Sequence, residues 1–148
     1  MVVRGGPGAR RFPAMAPGLR DLKVWQESVA LGGDVARVVQ RHAKRETRGL
    51  TEKLLHESLA LAAAVADGSS CPAAAEQRER FREARRALAA VETHLAIARH
   101  ADLVPAQIAA QLGTRAQGVG RLLTGYLAYL DRQVEEEEKA AGRVVRGD

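Results

Sequence analysis

Between residues 81 and 98 the apolar positions Phe81, Ala84, Leu88, Val91, Leu95 and Ala98 recur at spacings of three and four. That spacing holds a narrow stripe on one side of an α-helix, the geometry of a bundle seam. The same rhythm appears in three other places. Leu22, Trp25, Val29, Ala36 and Val39 form one stripe, and Val24, Leu31, Val35 and Val38 form a second. Together they predict a helix from an N-cap at Asp21 to about His42. Two stripes make a face wider than one neighbouring helix needs, so burial on two sides, in the bundle and against another subunit, is expected. Gly32 and Gly33 inside this helix mark either a close approach or a kink.

Leu54, Leu55, Leu59, Leu61, Ala62, Val65 and Ala66 predict a second helix, capped by Thr51 and ending at Gly68, a residue suited to a left-handed stop. Cys71 and Pro72 then open the third helix, which runs to about His100. Pro105 opens the fourth, in which Ile108, Leu112, Val119, Leu123, Tyr126 and Leu130 keep the spacing, while Gly113, Gly118, Gly120 and Gly125 predict bends or small-residue contacts. Four helices with short connections imply an all-α, antiparallel up-down-up-down four-helix bundle over residues 20–134. Residues 1–19, rich in Gly, Pro and Arg, are expected as a flexible basic arm, and residues 135–148 as a charged, disordered tail.

Composition supports this class. The chain has 148 residues, enough for one domain with a real core, and only 3% are aromatic. A net charge of +5 favours an anionic partner such as RNA or DNA. The excess is local: residues 1–20 hold four arginines and no acid, and residues 21–50 hold six bases against four acids. Cys71 is the only cysteine, which excludes an internal disulfide and suits a reducing compartment. No apolar run approaches the ~18 residues of a membrane span. A cytoplasmic protein with no membrane association is expected.

The chemistry-bearing residues form few constellations. The pairs Glu-x-x-His, His-Glu-x-x-His, a Gly-rich phosphate loop and a nucleophile elbow are all missing from the sequence. Glu52 and His56 lie one turn apart, which on a helix describes a surface pair more often than a metal site. Arg37 and His42 have the Arg-x4-His spacing of HEPN-type ribonucleases, but Val39 stands where that family carries a polar residue. The expectation is therefore no enzymatic activity and no cofactor. Phosphate-binding candidates are Arg10 and Arg11 in the arm and Arg41, Lys44, Arg45 and Arg48 in the first connection. Arg78, Arg82 and Arg85 form a second patch on helix three. Glutamates one turn from arginines, as in Glu76–Arg80, Glu79–Arg82 and Glu83–Arg86, answer much of that second patch. No aromatic residues interleave with the bases, which argues against single-strand stacking.

Several short runs carry a family resemblance. They are Asp21-Leu-Lys-Val-Trp-Gln at the first helix, Gly49-Leu-Thr before the second, Ala66-Asp-Gly closing it, and Val91-Glu-Thr in the third. In order and spacing they resemble the bacterial four-helix-bundle proteins encoded in intervening sequences of large-subunit (23S) ribosomal RNA genes, over residues 20 to 132. The chain departs from that pattern at Arg48, where the family has Tyr, and in Ala60–Gly68, which lacks the family's Pro and Asn. Ser69 follows Gly68 where the family has Arg. The resemblance implies a homopentamer without established catalysis. It also implies kinship with the accessory protein of diversity-generating retroelements, a basic pentamer that binds nucleic acid and a reverse transcriptase.

Overall fold

Helices form wherever the three-four spacing runs, and they continue past two of the expected stops. A computed structural model describes residues 18–19, 22–42 and 44–147. It contains α1 (Lys23–His42), α2 (Arg48–Ser70), α3 (Ala74–His100) and α4 (Ala106–Arg146), with a 3-10 turn at Arg45–Thr47 before α2. Consecutive helices pack side by side and α1 closes against α4, with no close backbone approach across either diagonal among the described residues. The result is a square, antiparallel up-down-up-down bundle. The α1–α2 and α3–α4 connections lie at one end, and the α2–α3 connection lies at the other.

The α3 stripe is buried as its spacing predicts: Phe81, Ala84, Leu88, Val91, Leu95 and Ala98 all face inward. They meet Leu31 and Val35 of α1, Leu54, Leu61 and Val65 of α2, and Leu112 through Val134 of α4 in one core. The broad apolar face of α1 is used within the chain. Val24, Trp25, Leu31 and Val35 are buried, and Leu22, Val29, Val38 and Val39 pack half-buried against the same core. A helix at the corner of a square has two neighbours and needs two stripes. The width of α1 is thus answered by α2 and α4, and it supplies no argument for a second subunit. Gly32 is buried where α1 passes α2, but a Cβ there would sit 3.8 Å from the Ser58 carbonyl oxygen, an ordinary contact distance, so the packing there does not require a glycine.

Four expected boundaries move. α2 begins at Arg48 rather than after a Thr51 cap. The Lys44 amide donates to Thr47 Oγ1 at 3.1 Å, while the Thr51 hydroxyl donates to the Thr47 and Arg48 carbonyls inside the helix. Gly68 does not stop α2. It is buried within the helix, and a Cβ there would lie 2.9 Å from two ring carbons of Phe81 and 3.1 Å from Arg80 Cβ. Its missing side chain makes room for Phe81, and the helix continues to Ser70. The stop comes at Cys71, which is extended (φ −73°, ψ 135°) because Pro72 excludes the helical conformation from the residue before it. Consequently Cys71 and Pro72 belong to the connection, and α3 starts at Ala74.

The fourth change is at the C-terminus. α4 is one continuous helix of 41 residues, through its glycines and through the stretch expected as a disordered tail. Val134 is its last buried residue, and residues 135–147 are exposed on all sides. Extending a packed helix requires no new nucleus, and glutamate is a good helix former, so four consecutive glutamates prolong α4. Asp21, Arg10 and Arg11, and with them most of the expected basic arm, lie outside the described residues.

Candidate nucleic-acid interface

The bundle separates the candidate arginines into two regions of different character. At the α1–α2 end, Arg41 closes α1, Lys44 and Arg45 flank the 3-10 turn, and Arg48 begins α2. All four are exposed. None of them forms an ion pair among the described residues, although Glu46 lies between them in sequence. Arg48 sits at the N-terminus of α2, where unpaired amides already give a partial positive charge. Cations placed there add to the helix dipole instead of cancelling it. The α3–α4 connection shares this end, but its arginine is answered: Arg99 pairs with Asp102 at 3.3 Å.

On α3 the arginines are largely compensated. Arg78 donates to Asp131 of α4 at 3.3 Å, and Arg82 pairs with Glu79 at 2.7 Å and reaches the same Asp131 at 3.9 Å. Arg80 bridges to Asp67 of α2 at 3.2 Å and to Glu83 at 3.0 Å. The hydrogen bond and charge of Glu83, then the charge of Asp67, hold its pKa above the ordinary value. The helical pairs expected from spacing are therefore realised only in part. Glu79–Arg82 forms, whereas Arg80 pairs with Glu83 one turn on and with Asp67 of α2 in place of Glu76, and the expected Glu83–Arg86 pair does not form.

Arg85 has no carboxylate partner among the described residues. It lines an open cavity of about 550 Å³ between α3 and α4, together with Glu92, Gln117 and Arg121. Arg121 was not singled out from the sequence. Its place beside Arg85 depends on the antiparallel register of α3 and α4, in which a Cβ at Gly120 would lie 3.4 Å from Leu88. Spacing within one helix carries no such information. Elsewhere Arg115 of α4 bridges to α1, to Asp34 at 2.8 Å and Glu27 at 3.5 Å. Arg37, of the Arg-x4-His pair, is bonded to Asp34. Among the described residues no group of three or more His, Cys, Asp or Glu is placed to hold a metal ion. No described helix is long and apolar enough to cross a membrane.

The decisive comparison is with family models, in which the 23S rRNA-intervening sequence protein model matches residues 20–125. The chain belongs to the 23S rRNA-intervening sequence protein family. The match spans α1 to α3 and the first half of α4, and leaves the exposed end of α4 outside it. A crystal structure of a protein of unknown function from the S23 ribosomal protein family of Bacteroides thetaiotaomicron has the same fold. The two superpose with a TM-score of 0.67 at 10% identity, covering 70% of this chain and 97% of that one. No curated protein matches the chain. Membership of the 23S rRNA-intervening sequence protein family fixes the bundle, and it leaves the role of each arginine to be argued from the chain itself.

Proposed function

We propose that this protein is a non-enzymatic, oligomeric member of its family that binds the phosphate backbone of RNA or DNA at the α1–α2 end of the bundle. The observation that carries the reading is the cluster of Arg41, Lys44, Arg45 and Arg48. Four exposed cations, without carboxylate partners among the described residues, surround the N-terminus of a helix, so a phosphate there meets formal charge together with the positive end of the helix dipole. Arg10 and Arg11 precede α1 in the sequence and are a separate part of the phosphate reading, outside the described residues. Arg78 and Arg82 drop in rank because Asp131 and Glu79 already occupy them. A copy number of five rests on the family resemblance, and repeating the cluster around such an assembly makes weak contacts add. The setting proposed is the cytoplasm.

The uncovered groove beside Arg85 favours a second reading, a protein-interaction scaffold such as the accessory subunit of a reverse transcriptase. A salt titration separates the two. Four phosphate contacts predict a fall in affinity for duplex RNA or DNA of roughly 150-fold between 50 and 200 mM salt. Binding that is flat with salt, or absent at low salt, contradicts the phosphate reading.

A further inference from the structure

Two unpartnered features remain, both untouched by the phosphate reading. One is the end of α4 beyond Val134, exposed on every side and outside the family match. The other is the groove between α3 and α4. We propose that the exposed end of α4 docks in the α3–α4 groove of a second copy of this chain, and that the exchange is reciprocal.

Charge order supports this occupant. Glu135, Glu138, Lys139, Gly142, Arg143 and Arg146 line one face of the free helix end, acids first and bases after. The groove has the opposite order: Arg85 and Arg121 at one point, then Glu92 further along α3. From Arg85 to Glu92 is seven residues, a rise of ~10.5 Å, and from Glu135 to Arg143 is eight, or ~12 Å. With Glu135 and Glu138 against Arg85 and Arg121, Arg143 arrives beside Glu92. Beyond Glu92 the groove continues into a second cavity lined by small residues such as Ala96 and Gly113, which leave space for a helix.

Geometry requires the second copy. The free end points away from the bundle along the axis of α4, whereas the groove lies alongside the earlier part of the same helix. A straight helix cannot reach its own flank. In the partner the free end runs parallel to α3, so the two α4 helices run antiparallel. Pairing Arg121 of one with Glu135 of the other places the pairing of the partner's Arg121 in register automatically. A two-fold axis then falls near Ala128, midway between positions 121 and 135. One register satisfies both contacts, which is the mark of an isologous, closing interface.

The test is sedimentation of the full chain over a concentration series at low salt, with circular dichroism to show that each variant keeps its helix. The variants are E135K/E138K, R85E/R121E and the two combined. Each single pair of reversals should weaken the association about tenfold or more, read as a twofold loss of mass, and the combination should restore it. Unchanged mass in either reversal, or no recovery in the combination, overturns the proposal. The readout is a factor of two on whatever copy number the bundle itself sets and involves no nucleic acid. Its failure is therefore distinct from failure of the phosphate reading.

Discussion

The α1–α2 end and the arginine face of α3 have similar numbers of cations and opposite electrostatics. On α3, helical periodicity brings Arg82 within one turn of Glu79, and the neighbouring helices supply Asp131 and Asp67. At the α1–α2 end the chain turns too sharply for such regular pairing, and Arg41, Lys44, Arg45 and Arg48 are left to solvent. An arginine is available to a ligand when the fold withholds its carboxylate. Density of arginines in the sequence measures something else.

The contrast can be broken most strongly at the unpaired end. Changing Arg41, Lys44, Arg45 and Arg48 together to Gln should weaken duplex binding by roughly 50-fold at 50 mM salt, with little change in melting temperature, since none of the four side chains forms an ion pair among the described residues and the contacts of Lys44 with Thr47 are made by its backbone. Filter binding and thermal melting measure the two effects. The paired face should respond in the reverse manner. Gly68→Ala places a methyl group 2.9 Å from the Phe81 ring. The overpacking outweighs the gain in helix propensity and should cost about 1–2 kcal/mol in urea unfolding without altering binding. Asp131→Asn removes the shared partner of Arg78 and Arg82. These pairs are half-exposed, so the expected stability loss is under about 1 kcal/mol, whereas nucleic-acid affinity should rise as the arginines are released.

The smallest effect concerns pH. Tyr126 stacks on Phe81 with ring centroids 4.5 Å apart, and burial, then the proximity of Tyr129, raises its pKa above the ordinary 10.0. The folded state therefore holds the phenol proton more tightly than the unfolded chain does. The resulting stability is fully present below pH ~10 and is lost as pH rises through the folded pKa. Tyr126→Phe should flatten the alkaline limb of the stability curve and leave binding untouched.

Much of the bundle was legible because burial and periodicity report on the same helix. The stripe from Phe81 to Ala98 needed no knowledge of its neighbours. Gly68 is ambiguous in the sequence for a specific reason: a glycine that ends a helix and a glycine that admits another helix's ring both lack a Cβ. Only the approach of α3 decides between them. The acidic run after Val134, with the Ala-Ala-Gly and charged end that follow it, has the composition of a solvated tail, yet it inherits a helix already nucleated by the packed part of α4. The face of α1 looked too wide because a single sequence does not show how many neighbours a helix has. At the candidate interface, the loop cations were legible as a local cluster. Arg121 and the role of Asp131 were not, since both depend on the register between α3 and α4.

The most direct measurement compares the two regions in one assay, the salt dependence of duplex binding. It would be run for the wild-type chain, for the Gln variant at positions 41, 44, 45 and 48, and for R78Q/R82Q. The slope of log affinity against log salt should lose about 3.6 units of steepness in the first variant and stay near the wild-type value in the second. Equal slopes for wild type and the first variant, or a larger change in R78Q/R82Q, would contradict the assignment of phosphate binding to the α1–α2 end.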